Sequence, residues 1–217
     1  MIEFRNVSKS FWTGKRRKVI LQDATFTIPL GISLGILAKN GSGKSTIINM
    51  MAGTEQPDEG KIIRSCKVSF PLGPVGGIGP KLSAAENIRI LARMHGMDVD
   101  FAEAQCRYIS DIQEYFDRPM KTYSTGMKER ARYSMLLSLD YDIYLIDESL
   151  PNTTDVEFNQ RAGQLLADKL GKATVIIISH DETIIRQFCQ QAAVLNDGKL
   201  YFFDNVDDAK AMYDWTA

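Results

Sequence analysis

Residues 38 to 46 read Ala-Lys-Asn-Gly-Ser-Gly-Lys-Ser-Thr and stand between an apolar run (Ile32, Leu34, Ile36, Leu37) and a second one spaced like a helix (Ile47, Ile48, Met50, Met51). A buried strand that turns through glycines directly into a helix is a narrow demand on a fold, and it is the context in which a phosphate-binding loop works. Gly41 and Gly43 let the backbone bend so that its N–H groups face one concavity, and a helix beginning near Lys44 adds the positive end of its dipole. In such a loop Lys44 reaches the β- and γ-phosphates of a nucleotide and the Ser45 hydroxyl binds Mg²⁺, while Ala38, Lys39, Asn40, Gly41, Ser42, Gly43 and Thr46 complete the cradle. The pattern usually opens on Gly. Here that place is Ala38, which fits as long as its φ stays negative.

Composition narrows the partners. The chain has 217 residues, 44% hydrophobic and 24% charged, with a net charge of −1, which makes no overall electrostatic case for nucleic acid or anionic lipid. The one basic run, Lys15 to Lys18, follows Gly14 and reads as the solvated tip of a hairpin. Cys66, Cys106 and Cys189 lack metal-ligand spacing and read as reduced thiols. No apolar run approaches bilayer length and the start has no signal-peptide form, so membrane contact is expected only through a partner.

Along the chain, residues 1 to 30 alternate as antiparallel strands around Gly14. A turn at Pro57 to Gly60 leads to a strand over residues 61 to 70, then to an irregular Gly/Pro-rich stretch over 71 to 80. Ser83 with Glu86 has capping-box spacing and opens a helical region to about 118, broken near Gly96. Residues 143 to 146 and 173 to 178 are continuously apolar, the mark of central strands covered on both faces, with a helix over 156 to 170 between them. Residues 193 to 195 and 200 to 203 are strands turned by Asn196-Asp197-Gly198. The expected class is α/β, a single domain over 1 to 217 with a helical subdomain at roughly 83 to 140.

Two strand ends carry further chemistry. Asp147 and Glu148 follow Tyr144-Leu145-Ile146, and ligands of open α/β sheets bind at such carboxyl ends. Asp147 would hold Mg²⁺ opposite Ser45, and Glu148 would orient or deprotonate an attacking water. His180 ends the run Val175 to Ser179 and would contact the γ-phosphate; His95, on a helix, reads as structural. A third segment, Tyr123-Ser124-Thr125-Gly126-Met127, precedes a helix-patterned stretch and suits an anion.

This order of phosphate loop, Ser-x-Gly signature, Asp-Glu strand end and Ser-His strand end resembles the ATP-binding cassette of ABC transporters over essentially the whole chain. The closer resemblance is to the ATPase subunit of capsular and related polysaccharide exporters. Tyr123 to Lys128 looks like that subfamily's Tyr-Ser-Ser-Gly-Met rather than the general Leu-Ser-Gly-Gly-Gln. Phe70-Pro71-Leu72-Gly73, Ala85-Glu86-Asn87 and Leu195 to Lys199 look like it too. The resemblance implies a P-loop core of ABC type with an antiparallel β-subdomain and a helical subdomain. It also implies ATP and Mg²⁺ as ligands, Glu148 and His180 as catalytic groups, and Phe11 stacked on adenine with Trp12 as runner-up. It implies a homodimer that closes on ATP with Ser124 and Gly126 touching the nucleotide of the other subunit. It further implies a separate transmembrane permease and a location on the cytoplasmic face of the inner membrane.

Three positions depart from the family pattern. Ala38 is one. The irregular loop normally holds a glutamine, and the matching position is Gly79, with no glutamine anywhere in 71 to 81. After Glu148 the chain reads Ser-Leu-Pro-Asn-Thr-Thr-Asp, which displaces Asp155 by one residue. The altered glutamine loop and post-Glu148 segment leave a weakly hydrolysing regulatory subunit as one alternative to the exporter ATPase. A soluble ABC ATPase is the other, against which the chain has no coiled coil between its motifs, no second cassette and no basic surface.

Overall fold

Strand-length apolar runs and side-chain-capped or glycine-capped helix starts account for most of the architecture. The computed structural model describes residues 1–71, 78–147 and 155–216. In chain order the elements are β1 (Ile2–Thr13), β2 (Arg16–Ile28), β3 (Leu34–Ala38), α1 (Lys44–Ala52), β4 (Glu59–Arg64), α2 (Ala84–Met94), α3 (Val99–Ser110), α4 (Thr125–Leu137), β5 (Ile143–Asp147), α5 (Val156–Leu170), β6 (Thr174–Ser179), α6 (Glu182–Phe188), β7 (Gln191–Asn196), β8 (Lys199–Phe203) and α7 (Val206–Thr216).

The chain divides into two compact units. The first comprises Met1–Gly73, Tyr141–Glu148 and Ala173–Ala217. It contains a three-stranded antiparallel sheet in the order β2-β1-β4 and a five-stranded sheet in the order β5-β6-β3-β7-β8. The pairs β5–β6, β6–β3 and β3–β7 are parallel, and β8 closes the edge antiparallel to β7. The parallel strands β3 and β6 are buried at every position, as their unbroken apolar runs require. The β7–β8 turn places Asp197 at φ 46° and Gly198 at φ 74°, the two positive values that a two-residue hairpin loop demands. One core, built from Phe4, Ile20, Ile36, Ile47, Met50, Leu145, Ile176 and their neighbours, runs under both sheets of this unit.

Helix α1 is fixed at both ends. Gly43 (φ 108°) caps its start and Gly53 (φ 85°) its end. Ile47, Ile48, Met50 and Met51 are fully buried, each stabilising the fold by roughly 1.5–3 kcal/mol. Arg64, from the end of β4, lays its guanidinium over the last turn. Its Nε donates to the Met51 carbonyl at 2.7 Å and its Nη2 to that of Met50. Burial pushes the Arg64 pKa down from the ordinary arginine value, so these contacts are made by a partly desolvated cation at the negative end of the helix dipole. Arg64→Met should therefore cost about 1–3 kcal/mol, because the carbonyls of two buried residues lose charged donors. The reading is a lower urea midpoint at unchanged slope. An unchanged midpoint would show that water replaces the guanidinium without cost.

The second unit comprises Pro74–Asp140 and Ser149–Lys172. It carries α2, α3, α4 and α5 with two short 3₁₀ turns at Gln113–Asp117 and Met120–Thr122. Ser83 caps α2 with the full reciprocal box: the Ser83 hydroxyl accepts from Glu86 N at 3.1 Å and the Glu86 carboxylate from Ser83 N at 2.8 Å. Helix α5 lies in this unit, although the sequence places it between two strands of the other.

The structure alters some element boundaries and adds others. The strand expected over 61 to 70 ends at Arg64, and Val68 contributes only an isolated bridge to Ile143. Helices α6 and α7 are additions to the sequence reading. The first is only seven residues long, and the second buries just Val206 and Ala209. No helix among the described residues is long and apolar enough to cross a membrane. All three cysteines are free, and burial pushes the Cys189 thiol up to about 12 and the Cys106 thiol higher still, so neither of these two is a nucleophile.

Candidate functional site

The parallel sheet assembles the site. β5, β6 and β3 are neighbours running the same way, with Asp147 opposite Ile178 and Leu37 opposite Ser179. The end of β5, the residues after β6 and the loop after β3 therefore emerge on one edge of the sheet. That edge is where an open α/β sheet binds ligands.

The loop after β3 has the conformation its glycines suggest. Gly41 sits at φ 75° and Gly43 at φ 108°. A side chain at Gly43 would also run into Ile20, whose Cδ1 lies 2.8 Å from where a Cβ would be. Ala38 ends β3 fully buried and outside the set of positive-φ residues, so the alanine is accommodated as ordinary strand. Ser42 N donates to the Lys39 carbonyl at 3.1 Å, tightening the loop. Lys39 donates to the Thr216 carbonyl at the end of α7, which ties the loop to a helix the sequence did not disclose.

Lys44 is buried to 8% exposure, and its Nζ donates to Asn40 Oδ1 at 3.0 Å. Ser45 is exposed, and its hydroxyl donates to Asp147 Oδ2 at 3.0 Å. A hydroxyl and a carboxylate held this close are two hard oxygen donors from different elements, the set that suits Mg²⁺. His180 is exposed just beyond β6. Glu148 lies outside the described residues, as do positions 149 to 154 of the altered segment.

The pocket over this loop has a volume of about 480 Å³, within the range of small-molecule sites. Phe11, Ile20, Gly43, Lys44, Ser45 and Thr46 are among its lining residues. Phe11 is 40% exposed, and the Lys9 ammonium lies 5.0 Å from its ring centroid. Lys9 is itself held by Glu55 at 2.6 Å, by Asp58 at 3.2 Å and by the Gln56 carbonyl at 2.8 Å. The Glu55 carboxylate, first among these neighbours, keeps the Lys9 pKa above the ordinary lysine value. Trp12 is 71% exposed and does not line the pocket, which separates the two aromatic candidates. The basic run is exposed at the hairpin end as expected, and Lys18 within it also donates to the Gly41 carbonyl and lines the same pocket.

In the second unit Ser124 caps α4, its hydroxyl accepting from Met127 N at 3.2 Å, and Gly126 has open space where a side chain would be. Tyr123 braces this loop from beneath by donating to the Tyr115 carbonyl at 2.6 Å. Gly79 is clamped: its N–H donates to Asn87 Oδ1 at 2.7 Å and its carbonyl accepts from Asn87 Nδ2 at 3.1 Å. A Cβ at Gly79 would lie 3.1 Å from Leu82 Cδ1, so a glutamine there would have to shift Leu82 by a few tenths of an ångström. Gly73, Gly76 and Gly77 lie outside the described residues. Asp155 caps α5 and pairs with Arg130 at 2.8 Å, and its carboxyl stays below the usual range chiefly because Phe158 N donates to it.

Comparison with known proteins bears on this arrangement. The model of the family described as ABC transporter matches residues 21–151. The chain is 34% identical over 213 residues to the capsule polysaccharide export ATP-binding protein CtrD of Neisseria meningitidis serogroup B, covering 98% of each. It is 34% identical over 216 residues to the ATP-binding protein BexA of Haemophilus influenzae, covering 100% of this chain and 99% of that one. Among solved structures it superposes on the dimeric post-hydrolysis state of the ATP-binding cassette MJ0796 bound to ADP and Pi. That match has a TM-score of 0.73 at 21% identity, covering 94% of this chain and 98% of the other.

Proposed function

The chain belongs to the ATP-binding subunits of ABC transporters and has their fold, and from that membership we propose that it powers export of capsular or related surface polysaccharide. It is an ABC-type ATPase. The observation that carries the reading is the meeting of Ser45 and Asp147, 3.0 Å apart beside the loop that holds Lys44. Two relatives of nearly the same length, one named for capsule polysaccharide export, supply the substrate class.

In this reading ATP lies over the loop with its base on Phe11 and its phosphates among the N–H groups of residues 38 to 46. Lys44 balances charge on the β- and γ-phosphates. Ser45 and Asp147 would hold Mg²⁺, whose charge neutralises the same oxygens when it is bound. Glu148 orients and deprotonates the attacking water, and His180 holds the γ-phosphate side of the site. Phosphoryl transfer is mostly positioning and charge stabilisation, so these few groups carry most of the rate.

Cassettes of this family form dimers and work with a transmembrane component. For this chain we read a homodimer that closes on ATP, with Ser124 and Gly126 at the N-terminus of α4 facing the nucleotide of the other copy. We read a separate permease and a place on the cytoplasmic face of the inner membrane. The whole chain is read as one ATP-binding domain in which the second unit is the helical subdomain.

The test is genetic and chemical together. Deleting the gene in its own organism should leave polysaccharide inside the cells and strip it from the surface, with return on re-expression of the wild type but not of Asp147→Asn. Surface polysaccharide that is unchanged in the deletion strain would sink the export reading while leaving the ATPase intact.

A further inference from the structure

Lys18 stands apart from the rest of its basic run. Lys15, Arg16 and Arg17 are exposed near the hairpin turn, and Arg17 donates to Ser10 Oγ at 3.1 Å. Lys18 instead folds back so that its ammonium donates to the Gly41 carbonyl. In the hairpin register it lies directly opposite Phe11. Directly opposed residues project from the same face of a sheet, and Lys18, Phe11 and Ile20 accordingly line one pocket with Gly43 and Lys44.

The partner is the telling part. Among the described residues Lys18 has no carboxylate within ion-pair distance; its hydrogen bond is to a single peptide carbonyl. An ammonium has three donors, and one neutral acceptor leaves two of them for other acceptors. Bonds from an ammonium to a phosphate oxygen are roughly twice as strong as neutral ones. Among the described residues, a cation thus stands beside the phosphate loop with no carboxylate ion-paired to it, although Asp197 lines a neighbouring pocket with it.

We propose that Lys18 is a second cationic ligand for the polyphosphate of the bound nucleotide, bridging the Gly41 carbonyl and a phosphate oxygen. The proposal rests on reading this pocket as the nucleotide site. It differs from the role of Lys44 in coming from the β-hairpin rather than from the loop, so nucleotide binding ties β2 to the loop. Its effect scales with phosphate charge and not with the base. Because Lys18 is exposed, the effect also weakens with salt.

The experiment is equilibrium binding of ATP, ADP and AMP to the full chain and to Lys18→Met, Lys18→Arg and Lys44→Ala, at low and high salt. Lys18→Met should weaken ATP and ADP about 10-fold at low salt and AMP much less, with the loss shrinking at high salt and Lys18→Arg restoring most of it. Unchanged ATP affinity in Lys18→Met overturns the proposal, as does an equal loss for AMP and ATP, which would mean that Lys18 merely shapes the loop. Lys44→Ala separates the two claims. If it too leaves ATP binding unchanged, the pocket assignment fails; if it weakens binding and Lys18→Met does not, only the role of Lys18 fails. Lys18 is exposed, so the variant should fold, and an unfolding midpoint matching the parent confirms it.

Discussion

Lys44→Ala should lower ATP turnover by roughly 10²–10³-fold or more, the scale on which one preorganised charge donor acts on a developing anion. The ammonium is buried to 8% exposure and steered by Asn40 at 3.0 Å. It is therefore held in a low-dielectric place where its charge counts for more than it would in water. Alanine removes that charge and leaves the backbone N–H groups to hold the phosphates alone. Lys44→Arg keeps the charge but not the shape, since a planar fork does not fit where a compact ammonium did, so it should recover little. Phosphate release at saturating Mg²⁺ and ATP reads the first effect, and calorimetric titration reads the affinity. Turnover and affinity both unchanged in a folded Lys44→Ala protein would remove the loop from the active site.

Much of this site is legible because its parts are local. The phosphate loop, Asp147 and Ser179-His180 each lie within a few consecutive residues at the end of an apolar strand, and strand ends in a parallel sheet share an edge by construction. The capping box at Ser83 and the turn at Asp197-Gly198 are local too, and each appears where its spacing puts it. What the sequence leaves hidden depends on approach between distant segments. Lys18 and Gly41 are 23 residues apart, and nothing in a basic run says which lysine will turn inward. The Lys9 cluster joins β1 to the turn before β4 over a span of 47 residues. Arg64 reaches the carbonyls of α1 across an intervening turn, and a single arginine in a strand pattern gives no sign of that. Helix α7 buries only two residues, so its periodicity is faint, yet it meets Lys39. The glutamine missing at Gly79 shows the opposite case. The absence is plain in sequence, but only the structure shows that the glycine backbone is clamped by Asn87 and is not loose.

Glu148→Gln should keep ATP binding and lose hydrolysis by on the order of 10²-fold or more, the range of general-base catalysis. Asp147, the residue before it in sequence, ends β5 at the same sheet edge as the phosphate loop. The amide is nearly the same size as the carboxylate but cannot take a proton, so binding and chemistry separate cleanly. A second consequence follows from the proposed dimer. If Ser124 and Gly126 of one copy close on the nucleotide of the other, ATP that cannot be cleaved holds the pair shut, because no product forms to release it. Size-exclusion chromatography with ATP should then show a dimer for Glu148→Gln and mainly monomer for the parent. Adding Ser124→Arg, which fills the approach to the N-terminus of α4 with a bulky side chain, should return the variant to monomer without changing its hydrolysis defect. Hydrolysis within a few-fold of the parent would take Glu148 out of the mechanism. A hydrolysis-dead Glu148→Gln that remains monomeric with ATP at high protein concentration would instead keep the base and reject the closed dimer.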